Sequence, residues 1–103
     1  MEIQSIFFKE GLRCLETKSY NEAIILFWKD LEQNPNSSIA HNNIGLAQTL
    51  LGVDQKDISL LESAIQYFQK AIAFAIVEST PGESYPIANK NLKWAEEELS
   101  KLI

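Results

Sequence analysis

The sequence predicts an all-α domain of five helices. Three observations predict it. Apolar residues recur at i, i+3 and i+4 in five segments, short polar or Pro/Gly-containing breaks separate those segments, and no stretch alternates apolar with polar residues as a half-buried strand would.

Each element follows from its own residues. From about Ile3 to Thr17 the apolar stripe is Ile3, Ile6, Phe7, Phe8, Leu12, Cys14 and Leu15. Lys18-Ser19 is a short break, and Tyr20 to Gln33 resumes the period through Ala23, Ile24, Phe27 and Leu31. Asn34-Pro35-Asn36-Ser37 is a stop, because proline disfavours helix at the residue before it and cannot continue the ladder. Ser37 or Ser38 then caps a helix to about Leu51, where Gly52 offers a left-handed C-terminal stop. Asp57 or Ser59 opens the fourth helix, Ser59 with Glu62 fitting a capping box, and that helix runs to about Val77. Ser79-Thr80-Pro81-Gly82 reads as a turn. The fifth helix, from about Tyr85 or Pro86 to Leu102, carries Ala88, Leu92, Ala95, Leu99 and Leu102 on one stripe.

Length and composition bound the rest. The 103 residues make one domain, with 46% hydrophobic and 22% charged residues, which excludes a disordered chain, a collagen-like fibre and a disulfide scaffold. The longest apolar run, Ala71 to Val77, is far short of a membrane span, and Met1-Glu2-Ile3-Gln4 carries no basic n-region, so no secretory signal is expected. Cys14 stands alone, which fits a reducing cytoplasm. A net charge of −5 gives no counterion-release gain on a phosphate backbone, so nucleic acid is not an expected partner.

An internal repeat is present. Gly11-Leu12 recurs as Gly45-Leu46, thirty-four residues on. Ala23-Ile24, Phe27 and Leu31 recur as Ala64-Ile65, Phe68 and Ile72, forty-one on. The chain is therefore one helical-hairpin unit written twice, with seven extra residues in the second copy. Seven residues are two helical turns, so they are expected to lengthen the hairpin and place Leu60 and Leu61 in an extended fourth helix.

This pattern resembles the tetratricopeptide repeat. The first copy (about 4–37) matches at Phe7, Gly11, Tyr20, Ala23, Phe27 and Pro35, and the second (about 38–78) at Asn43, Ile44, Gly45, Gly52, Ala64, Phe68 and Ala71. The fifth helix (about 85–102) stands where such arrays place a capping helix. The resemblance departs at Glu10, Gln48 and Asp30, where the pattern wants apolar or small residues, and no proline closes the second copy. It implies a short right-handed solenoid that holds peptides or other proteins on the side lined by the first helix of each hairpin. The glycines have a physical role in it, letting the two helices of each hairpin approach closely.

Chemistry finds little foothold. His41, the single histidine, takes the place of Phe7 in the second copy and reads as a structural, hydrogen-bonded residue. Cys14 reads as a small core hydrophobe, and the acidic run Glu96-Glu97-Glu98 as solvated surface. Clustered glycines and histidine-based metal spacing are absent, so no enzyme, cofactor or metal is expected.

Binding has more support. The resemblance places Phe8, Leu12 and Leu15 (after Ser5) on the binding stripe of the first copy, and Asn42, Leu46 and Thr49 (after Ile39) on that of the second. The stripe is apolar with one amide and no basic residue. Only Asn43 fits the carboxylate clamp of some family members, so a hydrophobic peptide or amphipathic helix is the expected partner. The competing expectation is that the fifth helix folds back and covers this stripe as core. A second candidate surface is Ile25 and Trp28, with Trp94 on the fifth helix; local packing accounts for Trp28 as readily as a partner does. The expected function is a non-catalytic adaptor or assembly factor. The alternative is a homodimer closed through Trp28 or Trp94.

Overall fold

The computed structural model describes residues 5–77 and 84–103. They form α1 (Ile6–Glu16), α2 (Tyr20–Gln33), α3 (Ser38–Gln55), α4 (Ile58–Val77) and α5 (Ser84–Leu102), with no strand among the described residues. The all-α expectation holds. Ile3 and the turn expected at Ser79–Gly82 lie outside the described residues.

The N-termini of α1, α3 and α4 are set by small polar caps. The Ser5 hydroxyl accepts from Phe8 N–H at 3.1 Å, and the Ser37 hydroxyl from Ala40 N–H at 3.1 Å. Asp57 Oδ1 accepts from Leu60 N–H at 3.1 Å, so of the two candidate starts for the fourth helix, Asp57 is the one used. Both hairpin turns pass through a left-handed lysine, Lys18 (φ 62°) and Lys56 (φ 54°).

One boundary is corrected. Gly52 does not end α3; the helix continues to Gln55, and Lys56 takes the left-handed C-terminal position. Gly52 serves instead as a point of close approach. A Cβ there would lie 3.0 Å from Leu61 Cγ, so its lack of a side chain admits α4.

The extra residues are divided between both helices of the second hairpin. In the register that aligns Gly11 with Gly45, Glu16 aligns with Leu50, and α3 runs on five residues to Gln55. In the register that aligns Phe27 with Phe68, Tyr20 aligns with Leu61, and α4 begins three residues earlier at Ile58. The connection shortens by one residue, from Thr17–Ser19 to Lys56–Asp57, which leaves the net seven. Leu60 and Leu61 lie in α4 as expected.

Packing repeats where the sequence repeats. A Cβ on Gly11 would come within 2.4 Å of the Phe27 ring, and one on Gly45 within 2.7 Å of the Phe68 ring. Both rings are fully buried. One core gathers Ala23, Phe27 and Leu31 of α2 against Ala40, Ile44 and Ala47 of α3. A second joins Ala64 and Phe68 of α4 to Ala95 of α5, with Leu46 and Leu92 alongside. Helices adjacent in sequence pack on one another, and α3 also touches α5.

The polar departures from the repeat pattern are partly resolved. Asp30 is buried and accepts from the Ser5 hydroxyl at 2.7 Å, tying α2 to the cap of α1. Gln48 is buried with Oε1 unpartnered. α4 is long and apolar enough to cross a membrane by length and composition, with a mean hydropathy of 1.2 over its best window. A core helix passes the same test: Leu61, Ala64, Phe68, Ala71 and Ala75 of α4 are buried, while Glu62, Gln66, Gln69 and Lys70 are exposed.

Candidate functional site

A groove of about 500 Å³ opens along α1, α3 and α5. Phe8 lines it from α1, Ile39, Asn42, Asn43 and Leu46 from α3, and Ile87 and Asn91 from α5. The i, i+3, i+4, i+7 spacing of the α3 residues brings all four onto one side of that helix. α5 forms the far wall: Asn91 Nδ2 donates to Asn42 Oδ1 at 3.1 Å, and Leu92 packs with Leu46 on the second core. The fifth helix thus covers part of the stripe, at Asn42 and Leu46, and bounds the groove that stays open beside Phe8 and Ile39.

Its polar character comes from amides alone. None of the lining residues is charged, and the first turns of α1, α3 and α5 hold no acidic side chain. Asn43 is 6% exposed, and its Nδ2 has no hydrogen-bond partner. A buried amide donor left unpaired costs about 1–3 kcal/mol, so this residue is expensive for the fold.

Three of the six expected contact residues, Phe8, Asn42 and Leu46, meet in the groove. The other three do not. Thr49 is fully buried and donates its hydroxyl to the Gly45 carbonyl at 2.7 Å, so it is core and cannot touch a partner. Leu15 packs on the first core from its edge. Leu12 is 36% exposed but does not line the groove. The spacing of these residues from Phe8 or Leu46 was right for a stripe, but helix rotation carries Thr49 and Leu15 toward neighbouring helices.

Ile87 and Asn91 are not among the sequence-predicted contacts, because the resemblance assigns the binding stripe to α1 and α3 and gives α5 no place in it. A signal for them exists. Ala40, Asn43, Ile44, Ala47 and Leu51 of α3 recur forty-eight residues later as Ala88, Asn91, Leu92, Ala95 and Leu99 of α5. Ala40, Ala47, Ala88 and Ala95 are all fully buried. In the same register Gly45 falls on Lys93, which is exposed.

The second candidate surface is divided. Ile25 is 55% exposed, whereas Trp28, at 41%, sets its ring edge-on to Tyr67 of α4 with centroids 5.7 Å apart. Trp28 therefore bridges the two hairpins as well as facing solvent. Trp94 is half-buried.

Among the described residues the histidine and the cysteine stand apart. His41 is buried, its Nδ1–H donating to the Ser37 carbonyl at 2.8 Å and its ring 5.0 Å from Phe74 and 6.1 Å from Tyr67. Its structural reading stands. Cys14 is half-buried at the edge of the first core, with Glu22 Oε2 4.0 Å from its Sγ. Among the described residues, no three His, Cys, Asp or Glu side chains gather to hold a metal. Burial pushes the Tyr67 phenol above its usual range.

Compared with protein-family models, with curated proteins and with solved structures, the chain matches none.

Proposed function

We propose that this chain is a non-catalytic adaptor or assembly factor that seats a hydrophobic peptide or amphipathic helix of a partner protein in the α1–α3–α5 groove. The carrying observation is the groove itself, in which Phe8, Ile39, Leu46 and Ile87 surround asparagines, one with a buried and unpaired donor. Apolar walls supply affinity, and convergent polar groups fix orientation. The paired glycine–phenylalanine seats support the tetratricopeptide-like reading, and the packing of α5 on α4 and α3 supports a short solenoid. Cofactors and metals have no part in this proposal, and neither do nucleic acid or membrane. A cytoplasmic setting belongs to it on the strength of the lone Cys14.

The test is a peptide-display selection on the intact chain, followed by binding measurements on two variants. Ile39→Glu changes a residue that is 50% exposed, so melting should hold within about 0.5 kcal/mol while capture falls at least tenfold. Asn43→Leu removes the unpaired donor; stability should rise by about 1 kcal/mol while affinity falls. Peptides that bind both variants as tightly as the parent chain would overturn the groove reading.

The homodimer is the second reading, favoured by the exposure of Ile25 and Trp28. Two partly exposed side chains fall well short of the ~800 Å² per partner that a stable interface buries, so the groove reading is preferred. Sedimentation equilibrium at several concentrations separates the two.

A further inference from the structure

We draw no further inference here: the strongest candidate, the surface patch of exposed Ile76, Val77, Tyr85 and Ile87 where α4 ends and α5 begins, carries nothing because no feature of the structure shows what covers it.

Discussion

The two hairpins seat the same ring on the same kind of residue, yet they bury their first helices very differently. In α1 the buried residue is Gly11 alone, whereas α3 buries eleven, from Ser38 to Gly52. Neighbours account for the contrast. α1 leans chiefly on α2, while α3 is enclosed by α2, α4 and α5. Equivalent residues in a repeat therefore need not contribute equally, because a helix free on its outer side can shift and an enclosed one cannot.

The largest effect expected from this difference is at the rings. Phe68→Ala should cost about 4–5 kcal/mol, close to the whole stability of a small domain, because the hole would open under α3, which its neighbours hold in place. Phe27→Ala should cost about 3 kcal/mol and free α1 before the rest, visible as early hydrogen exchange in α1. Urea titration followed by circular dichroism gives both values, and equal losses with uniform exchange would break the comparison.

The glycines give the next effect. An added methyl meets the ring at nearly the same distance in both hairpins, 2.4 Å at Gly11 and 2.7 Å at Gly45. Overpacking costs about 1–3 kcal/mol, against a gain of about 1 kcal/mol in helix propensity. Gly45→Ala should lose about 1–2 kcal/mol, while Gly11→Ala should stay within about 0.5 kcal/mol as α1 moves outward. If the order is reversed, closeness of contact matters more than enclosure.

At the turns the hairpins should behave alike. Lys18 and Lys56 are both exposed and left-handed. Glycine at either position should stabilise by about 0.5–1 kcal/mol, since it relieves the cost a side chain meets there. Thermal melts of the two single variants should therefore rise together. A rise in one alone would show that the turns differ in strain.

The smallest effect is alkaline. Burial raises the Tyr67 phenol, so the folded chain keeps its proton to higher pH than the unfolded chain does. The stability this confers is full below the unfolded value near 10 and is lost as pH rises through the folded one. Melts across that range should fall more steeply for the parent than for Tyr67→Phe; identical slopes would exclude Tyr67 as the source.

Helix number and the bounds of α2 could be read from apolar spacing and from the proline at position 35, which act locally. Gly52 could not be read, because a glycine that ends a helix and one that admits a neighbour look the same until the neighbour is placed. Here Leu61 decides between them. The groove was half legible. Phe8, Asn42 and Leu46 follow from periodicity, but Thr49 is one turn further on and its hydroxyl is satisfied within its own helix. Asn91 required a third, fainter copy of the α3 pattern to be noticed in α5. That Asn43 carries an unpaired donor is a property of its neighbours, which no spacing reveals.

The glycine seats also constrain how this chain can change over generations. Phe68 and Gly45 are twenty-three residues apart in sequence, yet under the enclosed α3 neither is replaced alone without a collision or a hole. That ring and its glycine form one heritable unit, and a lineage that enlarges the glycine must shrink the ring at nearly the same time, whereas at Gly11 the outward shift of α1 loosens the same coupling. Lys93 stands at the corresponding register of α5 with its side chain in solvent, so no such partner binds it. Drift should be quick at that position, and slow and paired at Gly45 and Phe68.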